Sequence, residues 1–349
     1  MLRVLIYQQI IPHYRSSIFD LLGEKYDLTV AYTGDTVCPG KNYKVQKVHS
    51  HRIPKIGYFH DTKLISLLRN SDVVIGMLGP GCIDIDNSKL INNKIKIIKW
   101  GIGVSASYDT PFDSIDMTKK FLKIINRSDA VIFYSDYPRN KYSKAGIPLE
   151  KMFVANNTVS VDPIDIRTNK DSILFIGSLY KQKRVDLLID SYYKALQDRP
   201  NLPSLIIIGD GDQKGILMDK VKQLGVDHKI FFLGAVNDDS VLRKYFSNAL
   251  ACISPNQAGL SVLKSMGYGV PYITAKGAIT GGEIFNIVND ETGVLLDDLN
   301  CMDRILIDIN DNTEKYILMG ENAKNYYLRE RTPQQMVKGF IDAIEFVMK

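Results

Sequence analysis

The chain is poor in cysteine and has no long apolar run, and each shortage removes a class of answers. Its four cysteines, Cys38, Cys82, Cys252 and Cys301, are scattered over 349 residues. None forms a C-x2-C pair, so a zinc ribbon has no footing, and they read as buried or incidental thiols of a cytosolic protein. No apolar stretch approaches the roughly 18 residues that span a bilayer. Leu2 to Tyr7 is interrupted by Gln8-Gln9 with no small-residue cleavage site behind it, so it reads as a first β-strand and not as a signal segment. That strand lacks a following G-x-G-x-x-G, which disfavours a dinucleotide-binding dehydrogenase. No G-x-S-x-G elbow accompanies His13, His51, His60 or His228, so a hydrolase triad has no support. Asp210-Gly211-Asp212 and Asp84-Ile85-Asp86 imitate a D-x-D metal motif, and neither is expected to hold a metal. Internal repeats and low-complexity tracts are missing too.

What is present points to a two-core α/β protein. With 349 residues and 45% hydrophobic composition, the chain exceeds what one core accommodates. Charge is uneven. Residues 1 to 165 hold 22 Lys and Arg against 16 Asp and Glu, about +6, leaving about −1 of the total +5 for the rest. Clusters such as Lys41, Lys44 and Lys47, or Lys94, Lys96 and Lys99, suit anionic headgroups or a lipid-diphosphate acceptor. A merely solvated basic surface fits them equally.

Short β-branched runs alternate with amphipathic helical stretches throughout. Strands are predicted at Leu2 to Tyr7, Leu28 to Tyr32, Val73 to Gly76, Ile95 to Trp100 and Ala130 to Tyr134, with helices such as Ser16 to Tyr26 and Met117 to Asn126 between them. A second series runs through Ser172 to Gly177, Ser204 to Gly209, Ile230 to Leu233, Leu250 to Ser254 and Tyr272 to Thr274. Such alternation builds parallel sheets covered on both faces. The polar stretch Asn156 to Ser172, with Pro163, marks a hinge. Domains of 1–160 and 161–332 follow, and Thr332-Pro333 opens a last helix, 333–349, placed to cross back to the first domain.

The most informative segment is Pro255 to Pro271, where a small-residue turn precedes a helix between two strands. A helix opened by Gly259, Leu260 and Ser261 directs free backbone N–H groups outward, an arrangement that holds phosphate. Thr280-Gly281-Gly282-Glu283 is a second glycine turn, and Glu283 stands in the first turn of a helix, where the dipole favours a carboxylate. A plain helix-start glutamate accounts for it equally well.

Phe175-Ile176-Gly177-Ser178-Leu179, Lys183, Val185 to Ile189, Ile208-Gly209-Asp210-Gly211, Phe232-Leu233-Gly234, Gly259 to Pro271 and Asp290 to Gly293, in that order, resemble the retaining glycosyltransferases of the GT4 type. Ile11-Pro12-His13-Tyr14-Arg15 is similar to the start of bacterial surface-polysaccharide transferases. The resemblance implies a GT-B fold, two Rossmann-like doubly wound domains facing a central cleft. It implies transfer of a hexose from a nucleotide diphosphate donor, with retention and without a metal or other cofactor. The acceptor is then a saccharide or lipid-linked saccharide of O-antigen or capsule synthesis. Such an enzyme is cytoplasmic, peripheral at the inner membrane face, and has no nucleic-acid partner.

On this resemblance Lys183 meets the diphosphate, helped by Arg184 because Ser178 replaces the family's arginine. Gly177, Gly209, Gly211, Gly259, Leu260, Ser261, Lys264, Gly281 and Gly282 complete the donor site. Glu283 and Asn256 are the catalytic candidates, and His13 and Arg15 lie on the acceptor side. Asn256 and Lys264 stand where the family has a Glu-x7-Glu pair, and Ile102 where it has a histidine. These losses keep a second reading open, a non-catalytic nucleotide-sugar-binding or partner protein. A nucleotide-sugar 2-epimerase on the same fold is a third.

Overall fold

A computed structural model describes residues 1–79, 81–106, 112–114, 119–162, 164 and 170–349. Two compact units emerge from the packing. The first contains the described residues of Met1–Ser105, Asp113–Ser160 and Thr332–Lys349, the second those of Val161–Arg331 with Ala106 and Phe112. Pro163 and the start of the helix expected from Met117 lie outside the described residues.

In chain order the first unit is β1 (Arg3–Gln8), α1 (His13–Gly23), β2 (Asp27–Tyr32), β3 (Lys44–Lys47), β4 (Ser50–Ile53), β5 (Gly57–His60), α2 (Thr62–Asn70), β6 (Val73–Met77), α3 (Ile83–Asp86), β7 (Lys96–Gly101), α4 (Lys119–Arg127), β8 (Ala130–Phe133), α5 (Asp136–Lys144) and β9 (Met152–Val154). Seven strands form a parallel sheet in the order β3-β2-β1-β6-β7-β8-β9, and β4 and β5 form a separate hairpin. The five strands read from β-branched runs are all present. β3 and β4 are polar and mostly exposed, and β5 and β9 span only four and three residues, so none of these patterns rises above that of a loop.

The second unit runs β10 (Ser172–Ile176), α6 (Val185–Asp198), β11 (Ser204–Ile208), α7 (Lys214–Gln223), β12 (Ile230–Gly234), α8 (Asp239–Ser247), β13 (Ala249–Ile253), β14 (Gln257–Ala258), α9 (Leu260–Gly267), β15 (Tyr272–Ala275), β16 (Ile279–Thr280), β17 (Gly293–Leu296), α10 (Met302–Asp311) and α11 (Thr313–Glu330). Its six-stranded parallel sheet has the order β12-β11-β10-β13-β15-β17. Alternation along β10 explains its two-sided cover. Ile173 and Phe175 enter the core under α6 and α10, while Leu174 enters the opposite core with Val262 and Met266 of α9.

A last helix, α12 (Pro333–Met348), starts where Thr332 accepts a hydrogen bond from the Gln335 N–H and Pro333 supplies a preset φ. Its apolar face, Met336, Phe340, Ala343, Ile344 and Val347, belongs to the first unit's core, where Phe340 meets Trp100 edge to face at 4.8 Å. No helix among the described residues is long and apolar enough to cross a membrane.

Candidate functional site

An open parallel sheet creates a crevice where the strand order reverses, because the loops leaving the two central strands turn to opposite faces. In the second unit those strands are β10 and β13. The loop after β10 carries Gly177 to Lys183, and the loop after β13 carries Ser254 to Gly259. Both contain the residues that the sequence singled out.

Lys183 ends a 3-10 turn, Lys181–Lys183, and is 6% exposed. Its ammonium lies against Gly177, where an added Cβ would come within 3.1 Å of Nζ, and 5.6 Å from the ring centre of Tyr180. Among the described residues no carboxylate or hydrogen-bond acceptor meets that ammonium. Burial therefore lowers its pKa from 10.5 to about 8. The Cys252 thiol beside it supplies no counter-charge, because its own burial raises its pKa to about 12. A buried cation without an anion is costly, and it marks a place where an anion is expected.

The N-terminus of α9 adjoins this lysine through two hydrogen bonds. Asn256 donates its side-chain N–H to the Gln182 carbonyl at 3.1 Å, and the Tyr180 hydroxyl bonds Gln257 Oε1 at 2.9 Å. Gly259 then caps α9 with no side-chain hydrogen bond, and nothing lies within 4 Å of where its Cβ would be. The N–H groups of Leu260 and Ser261 have no helical acceptor. The Ser261 hydroxyl faces inward to Tyr272, at 2.8 Å, and Tyr272 in turn bonds the Gln257 carbonyl, which fixes the helix start. The second glycine turn joins the group because β14 and β16 pair in parallel, Gln257 with Ile279 and Ala258 with Thr280. Gly282 takes φ +116°, open to glycine at little cost.

The structure thus brings together Gly177, Lys183, Asn256, Gly259, Leu260, Ser261, Gly281 and Gly282, leaves Ser178 exposed in the loop after Gly177, and gives others of the expected residues protein partners of their own. Lys264 is paired with Asp239 of α8 at 2.6 Å, so its charge is already engaged. Arg184 is exposed in a left-handed conformation, φ +56°, with Nε 3.3 Å from Asp186. Gly209 and Gly211 serve packing. A Cβ there would lie 1.8 Å from the Gly177 carbonyl oxygen and 2.3 Å from that of Leu179. Glu283 is buried, and its Oε2 accepts from the Gly281 N–H at 3.0 Å and the Thr280 hydroxyl at 3.4 Å, so the carboxylate clasps its own loop.

In the first unit His13 is exposed at the start of α1. Arg15, expected on the acceptor side, is engaged with protein groups instead of standing open. It is 4% exposed, bonds Asn157 Oδ1 at 3.0 Å and the Met336 sulfur at 3.4 Å, and lies 4.7 Å from the Trp100 ring. Asp84 accepts from the His60 N–H, Asp86 pairs with Lys99, and Asp210 with Lys214, so the D-x-D look-alikes are engaged with protein groups. Among the described residues no cluster of three His, Cys, Asp or Glu is arranged for a metal ion. Tyr180 and Gln257 escaped the sequence reading. A tyrosine three residues after Gly177 was the available signal.

With this geometry in hand, comparison with known proteins is informative. Residues 170–311 match the family model of the glycosyl transferases group 1. An uncharacterized glycosyltransferase of Methanocaldococcus jannaschii is 34% identical over 134 residues, 38% of this chain and 33% of that protein. The N-acetyl-alpha-D-glucosaminyl L-malate synthase of Bacillus anthracis is 24% identical over 177 residues, 50% of this chain and 45% of that protein. The chain thus spans a third to under a half of the length of these curated relatives. Among solved structures, Anabaena HepE, crystallised with UDP, superposes with a TM-score of 0.72 at 15% identity, covering 99% of this chain and 100% of that one. Over its length the chain therefore has the GT-B fold, and over residues 170–311 it is similar to the group 1 glycosyltransferases.

Proposed function

We propose that the protein is a retaining GT4-type glycosyltransferase that moves a hexose from a nucleoside diphosphate donor to a saccharide or lipid-linked saccharide. The observation that carries this reading is Lys183, a buried ammonium with no counter-ion among the described residues, beside the uncapped start of α9. Two phosphates supply the missing charge. As the bond from the sugar's anomeric carbon to the diphosphate oxygen breaks, its electron pair goes to that oxygen, and Lys183 with the Leu260 and Ser261 N–H groups stabilises the growing charge. The acceptor hydroxyl oxygen bonds to the same face of the anomeric carbon, and its proton passes to the departing diphosphate. No step requires a metal. Asn256 and the Gly281-Gly282 turn bind the sugar, and Glu283 positions that turn. The match to the group 1 family and the UDP bound by HepE support the donor class. The basic first half supports work at an anionic membrane on surface-polysaccharide acceptors, from the cytoplasmic side.

A second reading, binding without turnover, draws on Glu283 and Lys264, both engaged with the protein itself. Calorimetric titration with UDP, GDP, CMP and their sugar conjugates tests the donor site, and product analysis with saccharide acceptors then separates the two readings. One nucleoside diphosphate series is expected to saturate, and Lys183→Ala and Gly259→Val each to weaken it about 10- to 100-fold. The valine enters open space, so that variant folds. Parent-like binding by both variants overturns the site.

A further inference from the structure

The first unit holds a pocket that the proposed reaction does not use. It lies over β7, between α3 and α4, with a volume of about 240 Å³. That is below the roughly 300 Å³ at which pockets for drug-sized ligands begin, so a nucleotide sugar does not fit. Its walls are apolar, built from Ile56, Ile83, Ile97 and Ile124.

The polar lining is strongly biased to one sign. Lys99 of β7, 1% exposed, reaches the pocket from below and pairs with Asp86, the only carboxylate lining it among the described residues. Lys123 and Arg127 stand one turn apart on α4, at i and i+4, with Ile124 between them on the pocket side. Both are exposed, and neither has an ion-pair partner among the described residues. With Asp86 consumed by Lys99, the two α4 cations have no carboxylate partner among the described residues and stand at the edge of an apolar hollow. Their arrangement suits a ligand with an anionic head and an apolar body. An arginine fork and a lysine share the head, and the isoleucines cover the chain.

We propose that this pocket binds a small amphiphilic anion, a short alkyl or acyl chain ending in a phosphate or carboxylate. The ligand arrives as a free metabolite or as part of a lipid, and the chemistry recognised is the same. The inference rests on the first unit alone and stands whether or not the second unit transfers sugar.

Octyl phosphate is the probe, titrated calorimetrically below its micellar concentration against the full chain, with inorganic phosphate, octanol and UDP in parallel. One saturable site is expected for octyl phosphate, with phosphate and octanol each at least tenfold weaker. The double variant Lys123→Ala/Arg127→Ala is expected to lose at least tenfold for octyl phosphate and to keep its UDP response. A second variant, Ile124→Asn, attacks the apolar wall and is expected to weaken octyl phosphate more than inorganic phosphate. Co-sedimentation with phosphatidylglycerol vesicles, displaced by octyl phosphate, assigns the natural ligand to a lipid, and absence of co-sedimentation assigns it to a soluble anion. The proposal is overturned if octyl phosphate fails to saturate, if octanol or phosphate binds as well, or if the α4 double variant binds like the parent.

Discussion

In both units two strands lie outward of the first strand and the rest on its other side, yet the units treat the cation near the first strand-to-helix turn in opposite ways. In the first unit Arg15 is enclosed by the rings of Tyr14, Trp100 and Tyr134 and bonded to Asn157, so its charge is spent on holding α12 and the β7–β8 region together. In the second unit Lys183 is almost as buried but has no carboxylate or acceptor of its own among the described residues. Equal topology therefore does not mean equal function, and the difference lies in which buried cation the protein itself surrounds with hydrogen-bond and ring partners. A compensated cation is a structural part. Lys183, with no carboxylate beside it among the described residues, is the candidate for an outside anion.

The sharpest break of this comparison exchanges the two cations for methionine. Lys183→Met is expected to cost about 10- to 100-fold in nucleoside diphosphate affinity while leaving thermal stability equal or higher, because a buried unpaired charge has been removed. Arg15→Met should do the reverse, leaving nucleotide affinity in place and costing about 2–4 kcal/mol in urea unfolding through lost cation–π and hydrogen-bond contacts. If both variants behave alike, the distinction between the units fails.

Next in size is Phe340→Ala, which empties a fully buried ring from the contact of α12 with Trp100. A loss of about 3–5 kcal/mol is expected in the denaturant transition reported by Trp100 fluorescence. An unchanged transition would mean that α12 does not stabilise the first unit.

A smaller effect follows from pH. Lys183 titrates near pH 8 in the folded chain and near 10.5 when unfolded. Below pH 8 it is protonated in both states, and the fold carries the cost of a buried charge. Between 8 and 10.5 the unfolded chain binds the extra proton, so the Lys183 contribution to stability rises with pH across that window. Anion affinity runs the other way, falling by up to about tenfold per pH unit above 8. Titrations at pH 7, 8 and 9 should show that decline in the parent and a flat profile in Lys183→Met.

The smallest expected effect is that of Lys264→Met. Its partly exposed pair with Asp239 is worth at most about 1 kcal/mol, and nucleotide affinity should change less than threefold. A tenfold loss would return Lys264 to the phosphate site.

Much of the fold was legible because apolar periodicity dominates the central strands. Ser172 to Ile176 and Ala249 to Ile253 are buried runs bounded by polar turns, and such runs have few alternatives. The polar β3 and the β4–β5 hairpin were not, since their pairing comes from a neighbouring strand and a turn and not from burial. Within the site, Gly177 and the Gly259 helix start were readable from residue type, because a strand that runs through glycine into a helix has few backbone options. The fates of Lys264, Arg15 and Glu283 were not, since each was settled by a partner the motifs did not include, Asp239, Asn157 and the Gly281 N–H among them.

By itself, then, the sequence determined the two α/β series, the final amphipathic helix and the glycine turns, all consequences of local sterics and of period-2 and period-3.6 burial. Only the tertiary structure decided which charges are free to act. Lys183, Arg184 and Lys264 are all cations as letters, but one is buried with no carboxylate beside it among the described residues, one is exposed beside Asp186 and one is paired with Asp239. Electrostatic energy depends on burial and on the nearest opposite charge, and both are set by residues far away in the chain.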